Sequence, residues 1–203
     1  MDRHNMNKPF FYTIAILVLV TTFYCNKVVA QNNFVPDTTI NNLFFLENTN
    51  SSEIFFPNID SVKRFDEELF SVDGMPHIIF YNADKTKYLV AFFHYGGSRN
   101  SISEFEIGYV TEKNATELNR KSNETTYNDF QTENNLRLGM TLKELEEIKG
   151  KNYIRKDNVV TYIINEEEVD SDFLNEYNMP EYYLECEIVQ NKVCRIRFGF
   201  TYP

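Results

Sequence analysis

The sequence has no tryptophan, three cysteines and three histidines among its 203 residues. Each scarcity removes a class of function. Carbohydrate surfaces lean on flat rings for stacking, and the missing indole argues against that class. P-loop, dinucleotide and HExxH patterns are missing too. Ser98, in Gly-Gly-Ser-Arg-Asn, does not stand in a G-x-S-x-G elbow. Positive charge is also short, with 20 Lys and Arg against 30 Asp and Glu, a net charge of −10. Such a surface repels phosphate backbones, which excludes nucleic acid as a partner. No long hydrophobic run exists either. The apolar stretch Phe10–Val20 is shorter than the roughly 20 residues a membrane span needs.

That short stretch has another reading. Arg3, His4 and Lys8 precede it, and Val28-Val29-Ala30 ends the segment before Gln31. A basic start, a short apolar run and a small residue at the cut make residues 1–30 a secretory signal peptide, cleaved after Ala30. A lipid anchor on Cys25 is disfavoured by Tyr24, which is bulky where lipoprotein processing needs a small residue. The exported chain then has 173 residues, with 17 basic and 29 acidic side chains and a net charge of −12. It is periplasmic or secreted, and it keeps Cys186 and Cys194, an even pair in an oxidising compartment.

Periodicity predicts an α+β fold. Residues 31–58 are rich in Asn, Thr and Ser and carry no assignable pattern. Asp60–Phe70 reads as a helix, with Val62, Phe65 and Leu69 on one face. His77–Tyr95 reads as a hairpin around the polar turn Ala83–Thr86. Ile102–Val110 is a third strand, with Phe105, Ile107 and Tyr109 alternating against Glu104 and Glu106. Residues 111–135 are polar and read as a linker or surface loop.

The stretch Asn135–Gly150, NLRLGMTLKELEEIKG, is a punctuated helix start. Thr141 and Glu144 form a capping box, and Met140 staples onto Leu145. Leu142, Leu145 and Ile148 make the apolar stripe, Lys149 suits the C-terminal dipole, and Gly150 supplies the stop. Asn152–Ile164 reads as a hairpin, Ser171–Tyr177 as a short helix, and Glu181–Phe200 as a second strong hairpin. Both halves carry Met-Pro before a hairpin, at Met75 and Met179. This predicts two similar units, residues 31–110 and 136–203, each a short helix or helices packed on an antiparallel meander.

Gly139, Met140, Thr141, Leu145 and Gly150 resemble the Gly-Met-Thr helix opening of small exported bacterial proteins with the β-lactamase-inhibitor-protein-like fold. SmpA/OmlA-type outer-membrane lipoproteins share that style, and the Ala30-Gln31 junction resembles secreted Bacteroidetes proteins. The resemblance covers about 65 residues of the C-terminal half. It implies fold and export, and it transfers no activity. The N-terminal half lacks Gly-Met-Thr, and the lipobox is missing.

Candidate sites are few. Pairing Asn82 with Lys87 sets His77 opposite Phe92, with His94 diagonal to it. One face of the hairpin is then wholly apolar: Ile78, Phe80, Leu89, Ala91 and Phe93. The other holds His77, Ile79, Tyr81, Tyr88, Val90, Phe92 and His94, apolar bodies with polar tips. That composition suits either a surface where a partner docks or a second buried face under the N-terminal segment. His77, His94 and Asp73 offer zinc donors, but two hydrogen-bonded ring residues explain the histidines as well, and no metal or cofactor is expected. The acidic loop Asn165–Asp172 lacks calcium-loop spacing. Cys186 and Cys194 form a candidate disulfide. A three-residue loop would set them directly opposite, and a bulged loop would pair Cys186 with Ile196 and leave them diagonal. These features point to an exported, non-enzymatic module that binds another envelope or extracellular protein. The alternatives are a small hydrolase using carboxylates and a purely structural envelope component.

Overall fold

Eight strand-forming runs of the chain build one eight-stranded sheet. The computed structural model describes residues 34–41, 43–44, 77–93, 102–167 and 170–201. The chain separates into two compact units, Met1–Gln31 and Asn32–Pro203, and every described residue belongs to the second. The helix expected at Asp60–Phe70, together with Asp73, Met75, His94 and Ser98, lies outside the described residues.

Ten strands are described: β1 (Thr39–Ile40), β2 (Leu43–Phe44), β3 (His77–Tyr81), β4 (Lys87–Phe93), β5 (Ile102–Tyr109), β6 (Ser122–Glu124), β7 (Ile154–Lys156), β8 (Val159–Asn165), β9 (Glu181–Val189) and β10 (Lys192–Thr201). The helices are α1 (Glu112–Lys121), α2 (Leu142–Lys149) and α3 (Asp172–Tyr177). β1 and β2 pair as a small ribbon, and the other strands run in the order β6-β3-β4-β5-β10-β9-β8-β7. Within that sheet β3 and β6 pair parallel, and the remaining neighbours are antiparallel.

The order carries a correction to the picture of two units. β5 and β10 pair through Phe105–Phe198 and Ile107–Ile196, so both halves share one sheet. They also share one core: Ile78, Phe80, Leu89, Phe105 and Ile107 cluster with Tyr162, Leu184, Ile196 and Phe198. Two amphipathic strands, each with an apolar row, bury those rows and remove two open edges by pairing. The α+β class stands.

Local rules hold where sequence patterns were strong. Asn82 N donates to Lys87 O at 3.1 Å, and His77 pairs with Phe92 as expected. Thr141 Oγ1 accepts from Glu144 N at 3.2 Å while Glu144 Oε2 accepts from Thr141 N at 2.7 Å, which closes the capping box of α2. Met140 and Leu145 are buried. Gly150 ends the helix at φ 82°, where a side chain would be strained.

The final hairpin solves its register problem with a bulge. Gln190 and Asn191 sit at φ 51° and 62°, a two-residue turn that pairs Val189 with Lys192. Left alone, that pairing would throw the apolar row of one strand to the wrong face. The register shifts between Val193 and Arg195, and beyond the shift Cys186 faces Ile196 and Leu184 faces Phe198. Cys194 is the extra residue of the bulge.

The segment read as a linker or surface loop, residues 111–135, opens with a helix and a short strand before it becomes loop. Thr111 begins α1, its N–H held by Asn114 Oδ1 at 2.7 Å, and the chain then runs directly into β6 beside β3. The helix EKNATELNRK offers few apolar side chains, and among those described Leu118 is the buried one. A single anchor on an otherwise polar helix leaves almost no periodic signal.

Candidate functional site

The sheet has two faces with different chemistry. α2 and α3 cover the first through Leu145 and Leu174, which join the main core. The second face contains every described residue that the sequence nominated for binding; His94 lies outside the described residues. Strand register lays it out in rows: His77–Phe92–Glu104–Gly199–Tyr183–Ile163, then Ile79–Val90–Glu106–Arg197–Glu185–Thr161, then Tyr81–Tyr88–Gly108–Arg195–Glu187–Val159.

The first two strands of this face are covered. Ile79, Tyr81, Val90 and Phe92 cluster with Leu118 of α1, and all five are buried. Tyr81 OH donates to Asn119 Oδ1 on α1 at 3.2 Å. His77 is 2% exposed, its ring 5.6 Å from that of Phe92. A docking surface must reach solvent, and these five positions, His77, Ile79, Tyr81, Val90 and Phe92, do not. Among the described residues the cover is α1, through Leu118. Tyr88 alone among the described nominees is half-buried, leaning over Gly108, where an added Cβ would lie 2.4 Å from the Tyr88 hydroxyl.

The rest of the face is a charged network on β5, β9 and β10. Arg197 Nε lies 2.5 Å from Glu104 Oε1, and Tyr183 donates its hydroxyl to the other Glu104 oxygen. The Arg197 guanidinium sits 5.4 Å from the centre of the Phe92 ring, linking the network to the covered half. One row along, Tyr88 OH donates to Glu106 Oε1 at 2.8 Å, and Arg195 lies 3.4 Å from Glu106 and 3.7 Å from Glu187. Burial pushes the Glu104 carboxyl above its usual range, against the pull of Arg197. Burial and the neighbouring Glu104 likewise raise the Tyr183 phenol.

Beyond Arg197 the face opens. Val159, Thr161, Ile163, Glu181, Tyr183, Glu185 and Glu187 are half-buried, and none of the described helices lies over them. The arrangement supplies satisfied charge pairs and a mixed polar and aromatic surface. Among the described residues no group of three or more His, Cys, Asp or Glu could hold a metal ion. The acidic loop lines a hollow with Glu166, Glu167, Asp170 and Asn175. Cys186 and Cys194 are both free thiols, which corrects the candidate disulfide. Cys186 points into the core, where burial pushes its thiol pKa up, while half-buried Cys194 donates to Glu187 O at 3.4 Å across the bulge. The chain matches no protein-family model, no curated protein and no solved structure.

The sequence showed part of this network in advance. Glu104 and Glu106 share one face of β5, and alternation places Arg195 and Arg197 on one face of β10. The missing information was that these two strands are neighbours.

Proposed function

We propose that this chain is an exported, non-enzymatic protein that binds another envelope or extracellular protein through the open half of its second sheet face. The observation that supports this reading is the contrast within one face. α1 covers β3 and β4, while β8–β10 present Thr161, Tyr183, Glu185 and Glu187 half-buried, with none of the described helices over them. Aromatic bodies with polar tips beside satisfied charges form a surface that can be covered without stranding a buried charge. His77, Ile79, Tyr81, Val90 and Phe92 then act as the packed underside that keeps the open half rigid. The Gly139–Gly150 opening, resembling exported proteins of the β-lactamase-inhibitor-protein-like group, supports the same compartment. So does Ala30, which would place the exported N-terminus at Gln31.

The test uses a double variant, Thr161→Arg with Glu185→Arg, and a control on α2, Glu147→Arg. Each is used to capture partners from an envelope extract of the native cell. A protein retained by the wild type and the control but lost by the double variant, with melting temperature unchanged, supports the reading. Equal retention by all three, or no retention by any, overturns it. N-terminal sequencing of the exported protein checks the compartment, with Gln31 as the expected first residue.

A further inference from the structure

The N-terminal segment of the described fold is gripped like a bound peptide. Phe34 lies between two rings, 5.2 Å from Tyr162 and 6.0 Å from Tyr182. Lys149 Nζ donates to Val35 O at 2.6 Å and stands 2.5 Å from Asp37 Oδ2, with both charged side chains fully buried. Asn134 Nδ2 donates to the second Asp37 oxygen at 3.0 Å. The Tyr182 hydroxyl accepts from Asp37 N and donates to Asp37 O, each at 3.0 Å. Glu133 then takes four donors: the amides and hydroxyls of Thr38 and Thr39, at 2.6–3.1 Å. Ile40 bridges Thr132, and Asn41 exchanges bonds with Gln131.

Three features separate this strap from an ordinary first strand. It pairs with no strand of the eight-stranded sheet, and apart from the short β1–β2 ribbon its partners are side chains and loops 86 to 145 residues away in sequence. Its recognition is side-chain specific, an aromatic followed three residues later by a carboxylate, each with its own pocket. And 32 residues separate Phe44 from His77, a contour of about 100 Å when extended. Nothing in the strap's contacts depends on which copy of the chain supplies it.

We propose that residues 34–41, together with β2 that pairs with them, are an exchangeable strap, and that the groove of Glu133, Asn134, Lys149, Tyr162 and Tyr182 is an interaction surface for the same strap from a second copy of this chain. Exchange keeps every contact and buries no unpaired charge, as an identical swapped element must. An empty groove would leave Lys149 buried without its counter-charge, so the groove is filled in either arrangement. Because the strap is covalently joined to its own groove, the intramolecular arrangement does not weaken on dilution, whereas exchange does. The monomer therefore prevails in dilute solution, and the reciprocal dimer forms where copies fold together at high density. This inference is independent of the open sheet face.

Charge reversal separates the two arrangements. Asp37→Lys and Lys149→Asp, each made in the exported protein, put like charges together in the monomer and should each lower the melting temperature. Refolded together, the two chains can form a reciprocal dimer in which both grooves hold opposite charges. The expected result is a one-to-one dimer by light scattering that melts above either variant alone. A mixture that stays monomeric, with the two separate melting temperatures, overturns the proposal. Should either variant fail to fold alone, wild-type chains carrying donor and acceptor dyes are refolded together at increasing concentration. Energy transfer that rises with concentration and is lost on dilution through unfolding supports exchange, and its absence up to millimolar chain overturns it.

Discussion

Charge is handled in opposite ways on the two faces of this sheet. On the core face one ion pair, Asp37–Lys149, is fully buried and held by Asn134 and a backbone carbonyl. On the second face Arg195, Arg197, Glu104, Glu106 and Glu187 share partners in a network that reaches water at Arg195. A sealed pair has no solvent to fall back on, so losing one partner leaves a bare charge in the interior. A half-wet network lets water replace a lost partner, and each link is worth less. The comparison separates what holds the fold from what is left available for contact.

The sharpest way to break it is Lys149→Ala. Stranding Asp37 should cost about 3–5 kcal/mol in denaturant unfolding, and replacing both partners, Asp37→Leu with Lys149→Met, should cost clearly less. Leu118→Ala removes the one apolar anchor of α1 and should cost about 3 kcal/mol, with faster hydrogen exchange in α1 if the cover loosens. Thr141→Ala removes the acceptor of the α2 cap and should cost about 1 kcal/mol. A lost binding function with an unchanged melting temperature would instead give Thr141 a role beyond architecture. Arg195→Ala on the half-wet face should cost under about 1 kcal/mol and show a weaker salt dependence than the wild type.

The smallest effect is one of pH. Burial raises the folded-state carboxyl of Glu104 above its ordinary value of 4.5. For a group raised on folding, the stabilising contribution is fully present below the unfolded value and is lost as pH rises through the folded one. The stability of the wild type relative to Glu104→Gln should therefore decline as pH rises above 4.5. A difference that is flat with pH, or grows, would show that Arg197 outweighs burial at this site.

Particular residues show how much was legible beforehand. The turn Ala83–Thr86 and the pairing of His77 with Phe92 followed from alternation and a polar tetrad. The cap at Thr141 and the stop at Gly150 followed from residue type and spacing. The pairing of Cys186 with Ile196 could be written down from the condition that both apolar rows face the core, but alternation alone argued against the two-residue turn at Gln190–Asn191, and the bulge at Cys194 is what reconciles that turn with the observed pairing. α1 was missed because Leu118 is a lone anchor. The strap was missed because Asp37 and Lys149 stand 112 residues apart, and Lys149 reads equally well as an exposed residue at a helix end.

What the sequence determined alone is therefore local: which runs alternate, where they turn, and how α2 starts and stops. Those rules act over two to four residues, through backbone geometry and side-chain direction. The tertiary structure decided which elements became neighbours. It joined β5 to β10, seated α1 over half of one face, left the other half open, and closed Lys149 over Asp37. Each of those outcomes depends on mutual burial between segments far apart in the chain, and burial is a property of the assembled surfaces rather than of either segment.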